Sequence, residues 1–412
     1  MGSEPSTGRG GAGPEQPGRT RQRGHLTKKE AAASKWKSVL SSVGLSVSGW
    51  YTLGPFQAAR KPFPDPLQIC EKRAQTVDAA CPPEWPFPRF VSLFFPEFPF
   101  RSQPLEQQFE VLAFIAKGSS GSILKVSQGT EKKIYAVKVL LKTEVLQQDV
   151  LQQCKDEVII QKQVRHPFVL SLLECWQTSR QLFIMCDYCS TGDLFMLWST
   201  HGPFAEGKLR VFAAELGSAL GFLHDFGVIH RDVKMENILI NDKGHLKLTD
   251  FGLSHRLRRG ERAYTICGTM QYMAPEVLSG GPYNHSSDWW SLGILLHVLA
   301  TNRFPVEPET DHSAMLVSVQ MADLTPPATV SHSLALLLAE LLCKNPLRRL
   351  RLLDHFAHQH FFQGLSFDPD LLQKLPMDSP LSAEKLTALP DPFRDFDGDF
   401  LGEERLTLPL AG

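Results

Sequence analysis

From residue 106 onward the apolar and polar positions fall into two successive patterns. The runs "FEVLAFIA", "SILKVSQ" and "KIYAVKVLL" are strand-length and are parted by turn residues. A charged, glutamine-rich stretch at 143–164 predicts a helix, and "QLFIMCDYC" predicts another strand. After residue 193 the pattern turns mostly helical, most clearly in "KLRVFAAELGSALGFLHDFG" and "DWWSLGILLHVLATN". A strand-rich lobe followed by a helix-rich lobe predicts an α+β fold with a cleft between them. No internal repeat is visible.

The ends of the chain read differently. The first 25 residues are Gly, Pro, Ser and Arg, a composition that cannot bury enough apolar surface to order itself. Residues 28–50 carry Lys28, Lys29, Lys35 and Lys37, with Trp36, Leu40, Val43, Val47 and Trp50 at helical steps and Gly44 and Gly49 weakening that helix. The segment "PPEWPFPRFVSLFFPEFPF" at 82–100 has too many prolines for a regular helix. It also has too many aromatic rings to stay in water, so it is expected to lie across the folded domain. The expected division is a largely disordered extension at 1–105, a folded domain at 106–362 with its lobes at 106–188 and 189–362, and an acidic tail at 363–412.

Composition sets limits on this picture. Of 412 residues, 42% are hydrophobic and 21% charged, as in a soluble protein with a substantial core. A net charge of −1 gives no global attraction to nucleic acid, and no nucleic-acid partner is expected. Cys186 and Cys189 are spaced C-x-x-C, but no second pair or nearby histidine completes a zinc site. The start lacks the apolar core of a secretion signal, and no apolar run approaches the ~20 residues needed to cross a bilayer. A cytoplasmic protein with free thiols is expected.

The candidate chemistry begins at "IAKGSSGSI", which comprises Ile115, Ala116, Lys117, Gly118, Ser119, Ser120, Gly121, Ser122 and Ile123. This resembles a Gly-x-Gly-x-x-Gly phosphate turn with Ala116 in the first glycine slot; alone, it also suits an ordinary hairpin. "YAVK" ends in Lys138, which could reach the phosphates of ATP, and Glu157 in the following helix could pair with it. "HRDVKMEN" at 230–237 is more specific. Asp232 could accept the proton of a substrate hydroxyl, Lys234 could reach the γ-phosphate, and Asn237 offers a neutral oxygen to magnesium. "DFG" adds Asp250, a carboxylate for the same ion.

Together these residues resemble the protein-kinase signature set over residues 106 to about 362. "CGTMQYMAPE" at 267–276, "SDWWSLG" at 287–293 and "NPLRRL" at 345–350 extend the match. The resemblance implies a bilobal kinase fold with a small β-rich lobe and a larger helical one. It also implies ATP and Mg2+ as cofactors and protein Ser/Thr hydroxyls as substrate. Glu276 is expected to pair with Arg349, and Asp288 to hold the catalytic-loop backbone. Lys234, Thr269, "HPFV" and "TICGT" are similar to serine/threonine kinases of the AGC group. In that group "FRDFD" would be the hydrophobic motif, with Phe393 and Phe396 inserting into a small-lobe pocket and Asp397 standing where a phosphorylated residue is usual.

Several departures shape the expectations. Ala116 is expected to stiffen the loop without abolishing its use. Gln161 stands where an apolar residue is usual, in a stack with Leu172, His230 and Phe251, and a buried amide without partners would be costly. Asp193 and Glu236 match acidic positions that favour basic-directed substrates, whereas Val298 replaces a further glutamate. Thr265 aligns with the activation-loop phosphosite, where an upstream kinase would add a phosphate that pairs with Arg231. "MGSEPS" fits myristoylation at Gly2, with Arg19, Arg21, Arg23, Lys28 and Lys29 as a second signal for peripheral membrane contact; the alternative is a disordered basic leader. An active enzyme is the leading reading, and a pseudokinase scaffold that binds nucleotide or partners without turnover is the alternative.

Overall fold

The computed structural model describes residues 88–377 apart from Pro104, Ser119, Ser120 and Glu131. Gly2, the basic leader with its Trp36–Trp50 stripe, loop residues Ser119 and Ser120, and the tail residues Phe393, Phe396 and Asp397 lie outside the described residues.

Two short helices, α1 (Arg89–Ser92) and α2 (Leu105–Gln108), precede the sheet. The strands β1 (Glu110–Gly118), β2 (Gly121–Gln128) and β3 (Lys133–Leu141) form where three runs were expected. The predicted helix at 143–164 is two helices, α3 (Lys142–Gln147) and α4 (Leu151–Gln163). The break falls at Asp149, whose φ of 57° is left-handed, with the Val150 N–H returning to the Val145 carbonyl at 3.1 Å. No Gly or Pro marks it in the sequence. β4 (Leu172–Gln177) and β5 (Gln181–Asp187) complete an antiparallel sheet in the order β1-β2-β3-β5-β4. β4 escaped the sequence reading because Glu174 breaks its apolar run and a bulge between Leu172 and Glu174 upsets the alternation.

Residues 88–101, assigned to the extension from sequence, pack on this sheet. Phe94 and Phe98 are fully buried with Leu140, Val145, Cys154, Val158, Cys175, Leu182 and Ile184. β4 is an edge strand, whose free backbone groups are a liability. The segment covers them: the Gln177 N–H donates to the Pro99 carbonyl at 2.9 Å, and the Arg101 N–H donates to the Gln177 carbonyl at 2.8 Å. Beside it Lys142 is fully buried; its ammonium donates to Gln177 Oε1 and the Thr178 carbonyl, both at 2.6 Å, and lies 4.9 Å from the centre of the Phe94 ring. Burial pushes this lysine down to about 8.

The large lobe contains α5 (Leu194–His201), α6 (Glu206–Asp225), β6 (Val228–Ile229), β7 (Ile238–Ile240), β8 (Leu246–Leu248), β9 (His255–Arg256), α7 (Pro275–Leu278) and α8 (Ser286–Thr301), then α9 (His312–Met321), α10 (His332–Leu341), α11 (Leu353–Ala357) and α12 (Pro369–Leu372). α6 and α8 are the two helices clearest in the sequence, and both are buried along most of their length. Gly217 lets α6 approach its neighbour: a Cβ there would sit 2.3 Å from the Phe356 ring. Trp289 and Trp290 of α8 are fully buried in the same core. Two small antiparallel pairs, β6–β9 and β7–β8, lie within this lobe and carry the loops that bear the candidate chemistry.

Candidate active site

The β1–β2 hairpin closes at Gly118, opposite Gly121. Gly121 has φ 135°, and a Cβ there would lie 2.3 Å from the Val139 carbonyl oxygen, so this position needs glycine. Ala116 lies in the strand opposite Ile123, exposed, where its methyl needs no special backbone. Ile123 is in turn opposite Lys138 on β3. The sheet register therefore sets the loop beside the lysine.

Lys138 Nζ lies 3.0 Å from Glu157 Oε1 and 3.3 Å from Oε2, so α4 delivers the partner that the sequence suggested. Burial alone would lower the lysine, but the Glu157 and Asp250 carboxylates outweigh it and hold the pKa above its ordinary range. The ammonium is a fixed positive charge between two acidic residues.

The loop from His230 to Asn237 is anchored from below. Asp288 is 1% exposed and accepts the N–H of His230 and of Arg231, each at 2.9 Å, while His224 Nε2 lies 2.8 Å from the same carboxylate. Burial pushes Asp288 up, but the His224 contact and the backbone N–H groups carry it below its ordinary value. This geometry holds Arg231 at φ 69°, an uncommon conformation for a non-glycine residue.

Asp232 is the hub. Its Oδ2 lies 2.8 Å from Lys234 Nζ and accepts from Asn237 Nδ2 at 2.9 Å; its Oδ1 accepts from the Thr269 hydroxyl at 2.8 Å. Lys234 also donates to Thr269 Oγ1 at 2.9 Å, closing a three-membered ring of contacts. Gly268, at φ 110°, makes that approach possible, because a Cβ there would lie 2.5 Å from the Arg231 carbonyl oxygen.

The β7–β8 hairpin brings Asn237 to Asp250. Ile238 pairs with Leu248, and the Thr249 N–H donates to the Asn237 carbonyl at 2.9 Å. Asp250 is left-handed at φ 64°, and its Oδ1 accepts from the Gly252 N–H at 3.3 Å. Because Asn237 donates its amide N–H to Asp232, the amide oxygen is the atom left to face a cation. One amide oxygen and one carboxylate are hard donors that fit a divalent metal ion.

The Gln161 amide is buried but not without a partner, contrary to the expectation: its Nε2 donates to the Leu170 carbonyl at 3.2 Å. His230 meets Phe251 edge-on at 5.2 Å. Thr265 is exposed; its carbonyl accepts from the Tyr283 hydroxyl at 2.6 Å, and Arg231 reaches that hydroxyl at 3.5 Å. Tyr283 was not anticipated, since a lone tyrosine after "GGP" carries no signal of its own. Glu276 and Arg349 form a two-pronged pair, with one contact at 2.9 Å. Cys186 and Cys189 are free thiols. No helix among the described residues is long and apolar enough to cross a membrane.

A strand-rich lobe with a glycine turn beside a paired lysine, set over a helical lobe that bears an Asp–Lys–Asn loop, defines a protein kinase. Residues 109–362 match the protein kinase domain family, and the chain belongs to it. It is 58% identical over 336 residues to the Homo sapiens ribosomal protein S6 kinase-related protein, covering 80% of each chain. It is 34% identical over 310 residues to the Drosophila melanogaster RAC serine/threonine-protein kinase, covering 74% of this chain and 50% of that one. It is also 34% identical over 306 residues to the Homo sapiens ribosomal protein S6 kinase alpha-3, covering 66% and 41%. The chain thus spans half or less of these last two relatives. With these relatives it is an ATP-dependent serine/threonine kinase of the AGC group, and nothing in the likenesses favours the scaffold reading.

Proposed function

We propose that this kinase transfers the γ-phosphoryl group of magnesium-bound ATP through Lys138, Glu157, Asp232, Lys234, Asn237 and Asp250. The observation that carries this reading is the shared ring of contacts among Asp232, Lys234 and Thr269, with Asn237 tied to the same carboxylate. The β1–β2 hairpin next to Gly118 and Gly121 covers the nucleotide, and Lys138, fixed by Glu157, holds its α- and β-phosphates. Asn237 and Asp250 would hold a magnesium ion, which would supply positive charge against the phosphates. Asp232 orients the substrate hydroxyl and accepts its proton, and Lys234 meets the charge that moves onto the γ-phosphoryl oxygens. Positioning and charge stabilisation supply most of the catalysis.

The protein substrate is basic-directed in this reading. Glu236 is exposed, and Asp193 is half-buried with one carboxylate oxygen accepting the Met196 N–H at 2.7 Å. Val298 is fully buried in α8, so it offers nothing to a peptide and discrimination is weaker. An upstream kinase acts on Thr265, supported by the nearness of Arg231 through Tyr283. The enzyme works in the cytoplasm, and lipidation at Gly2 with the basic leader gives peripheral membrane contact.

The test is transfer from γ-labelled ATP to a basic Ser/Thr peptide array. Wild type labels peptides, while Asp232→Asn loses roughly 10²–10⁴-fold in rate. An Asp232→Asn protein as active as wild type contradicts the assignment.

A further inference from the structure

The catalytic reading makes no use of residues 88–101, yet this segment grips the helix that carries Glu157. Cys154 and Val158 lie four residues apart on α4 and pack in one cluster with Phe94 and Phe98. Glu157, beside Val158, turns to the other side and meets Lys138 at 3.0 Å. The grip is polar as well as apolar. Lys155 of α4 donates to the Phe95 carbonyl at 2.8 Å and pairs with the Glu97 carboxylate at 2.9 Å. Lys162, two turns further along α4, donates to the Glu97 carbonyl at 3.0 Å, and the Cys175 thiol of β4 reaches the same oxygen at 3.1 Å. The segment is fixed to the sheet at its other end: Gln177 Nε2 donates to the Phe98 carbonyl at 2.6 Å, and Arg101 pairs with Glu174 while its guanidinium lies 4.7 Å over the Trp176 ring.

The placement of a catalytic carboxylate on a short helix depends on what the opposite face of that helix rests upon. α4 offers few large apolar side chains of its own toward the sheet; the rings of Phe94 and Phe98 supply them. Both phenylalanines are fully buried, so the groove between α3, α4, β4 and β5 has its aromatic occupants from the N-terminal side. The AGC resemblance assigns a small-lobe pocket to Phe393 and Phe396 of the tail. In this groove the tail pair would find the space already filled by Phe94 and Phe98.

We propose that residues 88–101 form a positioning segment for the kinase reaction, in which Phe94, Glu97 and Phe98 hold α4 so that Glu157 stays on Lys138, and that the tail pair Phe393 and Phe396 is dispensable for this. The proposal rests on the role given above to the Lys138–Glu157 pair. None of these segment residues touches substrate; they act through α4.

The experiment compares full-length wild type, Phe94→Ala/Phe98→Ala, Lys155→Met and Phe393→Ala/Phe396→Ala. Each is read by peptide phosphorylation and by hydrogen exchange of residues 151–163. Phe94→Ala/Phe98→Ala is expected to lose at least tenfold in kcat/KM for ATP, to exchange faster along α4, and to recover activity when a peptide of residues 88–101 is added. Should that double variant not fold, Lys155→Met removes the contacts to the Phe95 carbonyl and the Glu97 carboxylate while leaving both rings and the Lys162 contact, and is expected to exchange faster along α4 and lose at least threefold. The tail variant is expected to match wild type in both readouts. The proposal is overturned if the segment variants fold and match wild type, or if the tail variant reproduces the loss and the faster exchange. Exchange of α4 does not depend on turnover, so an inactive wild type counts against the catalytic reading while the segment's hold on α4 is still measured.

Discussion

Glu157 reaches Lys138 at 3.0 Å from a helix whose sides are both occupied, one by the lysine and the other by Phe94 and Phe98. The pair is therefore a property of packing as well as of charge. Its consequence for the site is electrostatic: Lys138 is kept protonated by two carboxylates despite its burial. Replacing Glu157 with Gln removes the charge while keeping the shape. The expected result is a loss of roughly tenfold or more in kcat/KM for ATP, about 1.4 kcal/mol of transition-state stabilisation, with a lowered melting midpoint because buried Lys138 loses one of its two carboxylate partners. Steady-state kinetics at varied ATP checks it.

Thr269 is bonded to both Asp232 and Lys234 through one hydroxyl. A Thr269→Ser variant keeps that oxygen, and Thr269→Val deletes it at similar volume. The serine form is expected to work nearly as well as wild type. The valine form is expected to lose about 1.5–3 kcal/mol, the range for hydrogen bonds to charged groups, read as a fall in kcat. Equal activity of the two variants would show that the ring of contacts is not part of catalysis.

Asp288 accepts two backbone N–H groups and contacts His224 from a fully buried position. Asp288→Asn turns one acceptor into a donor facing other donors. Unfolding in urea is expected to show a loss of about 1–3 kcal/mol, with activity falling further because Asp232 is two residues from His230.

His166 gives a pH dependence. Burial, and next the nearby Lys247, lower its pKa to about 4 from an ordinary 6.5. Its Nδ1 accepts the Phe168 N–H at 3.2 Å and its ring stacks on Phe222 at 5.0 Å, so the native state uses the neutral ring. As pH falls, the unfolded chain takes up this proton first. Stability is complete above about 6.5 and is lost progressively down to about 4. His285 is also lowered to about 4, by burial and then by His224, and adds to the same window. The melting temperature should decline between these values, and His166→Asn, which keeps an acceptor but does not titrate, should make the decline shallower.

Much of the site was legible because it is written in short, ordered motifs: "HRDVKMEN" and "DFG" place four polar side chains at fixed offsets, whereas the register that pairs Ile123 with Lys138 is seen only in the sheet. What escaped depends on contacts between distant segments. The break at Asp149 has no Gly or Pro to announce it. The Gln161 amide finds the Leu170 carbonyl nine residues away, which no periodicity encodes. The Phe/Pro segment announced that it would leave water; where it would settle was set by Lys155, Lys162 and Gln177, whose roles are visible only once the sheet and α4 are assembled.

The central claim is that Lys138, Glu157, Asp232, Asn237 and Asp250 surround one magnesium–ATP site. Calorimetric titration of folded full-length protein with ATP, with and without Mg2+, addresses it most directly. Wild type should bind ATP with Mg2+, more weakly without it, and Lys138→Met and Asp250→Asn should each lose at least tenfold in affinity while still melting in one cooperative transition. A folded wild-type protein that takes up no ATP in the presence of Mg2+, or that binds it equally well after both substitutions, would contradict it.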